Sequence, residues 1–167
     1  MADDNGLYAD IEAGFITAIE AITLSGETVF NATGVDHWKG QIKSLRDFRT
    51  AYPFAYVRCA RSRSSGKEAD DLAQYITVDI EFGTYITGNT ARIGIGTDAS
   101  DKELGYSRLR DLLITALDRV FITTTKANIE EPDYKSDKIL IDVSESGQTP
   151  YYCCSGLMTF EVLALGV

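Results

Sequence analysis

His37 is the only histidine of the chain and it follows Asp36, so the two side chains could form a carboxylate-oriented imidazole base. Such a base works only with a reacting group in hydrogen-bond reach. Nothing adjacent in sequence supplies one, and a solitary histidine in a basic, aromatic segment is expected to pack or to face water. The three cysteines are Cys59, Cys153 and Cys154. An odd number with two adjacent is a poor disulfide framework, and no CxxC spacing exists to join His37 in a zinc site. In an extended strand Cys153 and Cys154 point to opposite faces, which suits neither chelation nor redox pairing. Reduced, partly buried thiols are expected.

Gly94-Ile95-Gly96-Thr97-Asp98-Ala99 has the letters of a dinucleotide fingerprint, G-x-G-x-x-A, ahead of a helical pattern. That fingerprint needs a buried parallel strand running into it and an acidic residue ending the next strand. The flanking residues 84–97 are hydrophilic, and Asp118, at about the right distance, falls inside a helical pattern. Acidic neighbours such as Asp70-Asp71, Asp101 with Glu103, and Glu130-Glu131 are expected by chance among 25 Asp and Glu. No catalytic, cofactor-binding or metal site is expected, and the chain does not read as an enzyme.

The elements that would carry these residues alternate between two periods. Leu7, Ile11, Phe15, Ile19 and Ile22 recur at helical spacing, predicting a helix over 7–24 that Ser25-Gly26 ends. Gly14 costs that helix up to about 1 kcal/mol, so it is expected to mark a close contact. A short strand is predicted around 28–30. Over 34–52, Trp38, Ile42, Leu45 and Phe48 suit either a short helix or a loop across the core. Pro53 bars helix before it, and 54–60 reads as a strand. A polar loop follows over 61–71. In 74–82, Ile76, Val78, Ile80 and Phe82 alternate with Thr77, Asp79 and Glu81, predicting a strand with one buried and one wet face, extending as far as 86. After a glycine-containing loop, Ser100-Asp101-Lys102-Glu103 has the pattern of a capping box for a second helix reaching about Ile122. Its apolar stripe is Leu109, Leu112, Leu113, Ala116, Leu117 and Val120, with Arg108, Arg110, Asp111, Asp118 and Arg119 wet. A polar connection with Pro132 leads to strands over 138–143 and 156–165, joined by a turn region. The expected class is α+β: a mostly antiparallel, mixed sheet of about four to five strands with two main helices on one face, as a single domain over 1–167.

No apolar run is long enough to span a bilayer, and Met1-Ala2-Asp3-Asp4 lacks the pattern of a signal peptide, so the chain is expected to be made and kept in cytoplasm, or packaged from there. The net charge of −9 argues against general nucleic-acid binding. That charge is unevenly placed. Residues 37–67 hold Lys39, Lys43, Arg46, Arg49, Arg58, Arg61, Arg63 and Lys67 against Asp47 alone, a net of +7; the rest of the chain carries −16. The segment is either a solvated basic surface or a docking patch for an acidic neighbour.

In this order the elements resemble the tail-terminator, or neck, proteins of Mu-type contractile-tailed phages and phage-derived injection machines. The resemblance covers most of the chain. It rests on the helix Ile11–Ile22, the proline and strand Tyr52-Pro53-Phe54-Ala55-Tyr56-Val57, the alternating strand Tyr75–Phe82, the helix begun by Gly105-Tyr106-Ser107-Arg108-Leu109-Arg110-Asp111-Leu112-Leu113, and the closing strand Leu157–Leu165. The stretches 83–100 and 129–150 are longer than that pattern. The resemblance implies a homo-oligomeric ring, usually hexameric, in the tail or neck of a virion. Such a ring caps the tail tube beside the sheath, offers the head–tail connector a docking surface, and lets DNA pass through its lumen unbound, without cofactor or membrane. The alternatives are another virion part, such as a connector, tube or baseplate subunit, or a small-molecule-binding enzyme built on the Gly94 loop or His37. The charge split suits a ring, because head-to-tail contact joins two different patches of identical subunits. The eight basic residues of 37–67 are the expected interface, and an acidic lumen would let DNA slide.

Overall fold

The computed structural model of the chain describes residues 4–30, 34–41, 53–64, 73–87, 105–145, 148 and 151–165. The first helix, α1, spans Asp4–Glu20. It begins three residues before the predicted 7–24 and ends four residues early, because the chain turns at once into a two-stranded ribbon, β1 (Thr23–Leu24) and β2 (Glu27–Thr28). Ser25 and Gly26 are therefore not the helix cap. Both have positive φ, 54° and 85°, which is the requirement of a two-residue type I′ hairpin turn.

Among the described residues the main sheet has six strands, not four to five. They are β3 (Val35–His37), β4 (Phe54–Ser64), β5 (Gln74–Thr87), β6 (Asn128–Ile129), β7 (Asp133–Glu145) and β8 (Tyr151–Leu165). Their order is β3-β4-β5-β8, with β6 and β7 paired to successive stretches of the far side of β8. All pairs are antiparallel except β3 with β4. Trp38 directly follows β3 and does not open a helix; Ile42, Leu45 and Phe48 lie outside the described residues.

Three strands are longer than predicted. β4 continues through Arg61–Ser64, assigned above to a loop, and β7 begins at Asp133 within the expected polar connection. β8 begins five residues early. Cys153, Cys154 and Ser155 are all fully buried there, so that part of the strand shows no alternation.

Both helices pack on the same face of the sheet. Leu7, Ile11, Phe15 and Ile19 of α1 share one core with Ala55, Val57, Ile76, Val78, Ile80, Phe82, Met158 and Phe160. The second helix, α2, spans Tyr106–Leu117 and adds Leu109, Leu113 and Leu117. Its cap is Gly105 in extended conformation, not the expected Ser100, which lies outside the described residues. It stops at Leu117, not Ile122, because the Asp118 carboxylate accepts the Tyr134 N–H at 2.8 Å and Arg119 turns left-handed at φ 55°. Val120 consequently leaves the apolar stripe and is exposed.

Candidate functional site

The chemistry sought around His37 resolves into a structural tie. Asp36 accepts the His37 backbone N–H at 2.7 Å and does not orient the ring. The ring Nδ1 lies 2.6 Å from Glu12 Oε2, and Glu12 Oε1 accepts the Cys59 backbone N–H at 2.7 Å. One carboxylate of α1 thus clamps β3 and β4. Sequence could not single out Glu12, which stands 25 residues from its partner. Cys59 Sγ faces the Tyr8 carbonyl at 3.7 Å, and burial, with the charges of Glu12 and Asp79, pushes its thiol far above the usual range. Burial likewise pushes Cys154 up to about 11. Protonated thiols are poor nucleophiles. Cys153 and Cys154 do lie on opposite sheet faces, and no cysteine is in a disulfide.

Among the described residues no group of acids, cysteines and histidine is arranged to hold a metal ion, and no helix is long and apolar enough to cross a membrane. Gly94–Ala99, Asp70, Asp71, Asp101 and Glu103 lie outside the described residues. Glu130 and Glu131 are described and exposed.

Of the eight basic residues expected at an interface, Lys43, Arg46, Arg49 and Lys67 lie outside the described residues. The other four are Lys39, Arg58, Arg61 and Arg63. Register alone would put Arg58 on the opposite face from Arg61 and Arg63. A β-bulge between Cys59 and Arg61 inserts Ala60 and reverses the parity. All three arginines therefore share the face away from the helices, opposite Asp79, Thr77 and Tyr75.

Three of the four cations are already paired within the chain. Lys39 Nζ lies 2.9 Å from Asp36, whose carboxyl the lysine holds below its ordinary range. Arg58 lies 4.1 Å above the Trp38 ring and donates to Asp79 at 3.3 Å, while Trp38 Nε1 donates to Glu81 at 2.6 Å. Thr159 also donates to Asp79, at 2.9 Å. These contacts cover the β5 face that alternation marked as wet: Asp79 and Glu81 are buried. Arg63 stacks on Tyr75 and pairs with Glu161 at 3.1 Å. Arg61 alone of the four is exposed with no ion pair among the described residues.

No protein-family model and no curated protein matches this chain. Its surface chemistry therefore stands on its own geometry.

Across the sheet from β4, the turn after α2 meets the β6–β7 connection in an open groove of about 480 Å³. It is lined by Arg119, Phe121, Ile129, Glu130, Glu131 and Asp133. The turn is pinned: Arg119 N–H donates to the Pro132 carbonyl at 2.7 Å, and Ile122 is buried against Gly14. Phe121, between them, is 72% exposed. Asp133 is paired with Lys135, but no cation pairs with Glu130 or Glu131 among the described residues. On β7, Ile139 and Leu140 are 54% and 46% exposed. Large apolar side chains held outward on fixed elements suit contact with protein better than chemistry on a small molecule.

Proposed function

We propose that the chain is a structural subunit that closes into a ring with copies of itself, in the manner of the tail-terminator proteins it resembles. In that role it ends a growing tail tube at the head-proximal end and offers the connector a surface. DNA passes through without being held. The observation that carries this reading is the outward display of Phe121, Ile139 and Leu140 on hydrogen-bonded elements, at a cost in exposed apolar surface that docking would remove. The sheet supports it further. It displays both signs of charge, with Arg61 and Arg63 of β4 and the glutamates Glu130 and Glu131 after β6 all exposed, so head-to-tail contact between identical copies has charged groups to pair.

The test is the assembly state of the purified full chain by light scattering and negative-stain microscopy. A closed ring of about six copies supports the reading. A monomer at every concentration contradicts ring formation, and filaments that lengthen without limit contradict a terminating role.

A further inference from the structure

We infer that this fold caps the edges of its own sheet with side chains, so that copies of the chain cannot join by adding strand to strand. The caps are Asp36, Gln41 and Glu12 at the β3–β4 edge and Asp118 at the β7 edge. The device does not depend on the ring reading; it leaves side chains as the means by which copies meet.

An edge strand presents main-chain N–H and C=O groups that another chain can take up. Along a strand these groups turn alternately to one side and the other. The Gly34 carbonyl accepts the Ala55 N–H and the Trp38 N–H donates to the Val57 carbonyl, both at 2.8 Å, so these residues face β4. His37, adjacent to Trp38, therefore turns its main chain away from β4. Both of its groups are taken by side chains: the Asp36 carboxylate accepts the N–H and Gln41 Nε2 donates to the carbonyl, each at 2.7 Å. β3 pairs only as far as Val57. The next N–H along that edge belongs to Cys59, and Glu12 accepts it at 2.7 Å. Across the sheet, the Tyr134 N–H at the start of β7 goes to Asp118 at 2.8 Å and not to a strand.

Two of the caps are themselves held in place. Lys39 Nζ lies 2.9 Å from the second oxygen of Asp36, and His37 Nδ1 lies 2.6 Å from the second oxygen of Glu12. Water could satisfy an edge group equally well, but an incoming strand displaces water more easily than a tethered side chain. Where the caps stop, the edges are irregular. Register shifts fall at Cys59/Arg61 on β4 and at Tyr134/Ser136 and Ile139/Ile141 on β7. Arg61, Arg63, Lys135 and Lys138 are exposed along the same stretches. Irregularities and edge cations both oppose strand addition.

The test removes the caps from the full chain and follows sedimentable aggregate that carries the infrared band of intermolecular sheet. Glu12→Ala combined with Asp118→Ala should form it about tenfold faster than wild type, under conditions where the fold is intact by circular dichroism. Glu12→Gln combined with Asp118→Asn should stay close to wild type, because an amide oxygen still accepts the N–H. Gly156→Ala, which strains the core under Tyr106 and touches neither edge, controls for general destabilisation. If the double alanine variant stays as soluble as wild type, or if Gly156→Ala aggregates as fast, the caps do not guard the edges. Amide exchange in the wild type decides the matter should the alanine variant fail to fold. The His37, Cys59 and Tyr134 amides should exchange at least about tenfold more slowly than unprotected amides, although no strand covers them. Exchange of all three at the unprotected rate would overturn the assignment.

Discussion

Tyr106 lies over Gly156. Its ring stacks on Phe82 with centroids 5.0 Å apart, and a Cβ at residue 156 would overlap its hydroxyl and come within 2.9 Å of its ring carbons. The absence of a side chain on β8 is what lets the first turn of α2 settle on the sheet.

Gly156→Ala is therefore expected to destabilise the fold by about 1–3 kcal/mol through overpacking. The Tyr106 hydroxyl is buried with no partner among the described residues. Tyr106→Phe alone should then be neutral or slightly stabilising, since it removes an unsatisfied group. In the Tyr106→Phe background the cost of Gly156→Ala should shrink. Chemical denaturation of the four proteins measures this coupling; equal costs in both backgrounds would contradict the packing described.

Gly14 gives a second steric test. In an isolated helix Gly→Ala stabilises by about 1 kcal/mol. Here a Cβ would come within 2.8 Å of the Thr123 carbonyl and 2.9 Å of Ile122. Gly14→Ala should destabilise by about 1–3 kcal/mol, because the segment after Ile122 is tied to Asp10, whose carboxylate accepts the N–H groups of Thr125, Lys126 and Ala127, and cannot retreat without breaking those bonds. A stabilised variant would show that the helix does not touch this segment.

Helix α1 was legible because its contacts are local and periodic, and Gly14 stood out as a break in that period. Other features were not. Arg61–Ser64 alternates polar with polar, and Ala60 shifts the register, so strand β4 was indistinguishable from loop beyond Cys59. The start of β8 is buried on both faces and shows no period. The partners of the arginines come from β5 and β8, so sequence registered a basic run and not the carboxylates that neutralise most of its described part. Phe121 was hidden in the apparent continuation of α2. Only the break at Asp118 and Arg119 turns it outward.

Acid should loosen the fold at identifiable points. Burial acts to raise the Asp10 carboxyl, but the Thr125 hydroxyl and the N–H groups of Ala127, Lys126 and Thr125 outweigh it and hold it well below the usual range. Arg110, donating at 2.9 Å, holds Asp137 low as well, aided by Tyr134. A depressed folded-state pKa contributes stability that is complete above the unfolded value of about 3.9 and fades as pH falls through the folded value. Asp10→Asn should thus be less stable than wild type near neutral pH, by about 1 kcal/mol on the scale of a lost cap. The gap should narrow below about pH 4. A gap that is constant from pH 7 to pH 2 would contradict the assignment.

Thiol labelling tests the cysteine environments. Cys59 is partly buried with its thiol pushed far up, and Cys153 and Cys154 are buried on opposite faces. At pH 8 all three should react slowly in the native protein and at the rate of free thiols in denaturant. Rapid modification of one cysteine under native conditions would place it outside the environment described.

Whether the chain assembles with itself is read without intermediaries by native mass spectrometry of the full chain over a dilution series. A ring subunit should give one dominant species whose mass is a fixed small multiple of the chain's, about six, giving way to single chains on dilution or in high salt. A spectrum of single chains at all concentrations, or a ladder of multiples with no preferred size, would contradict it.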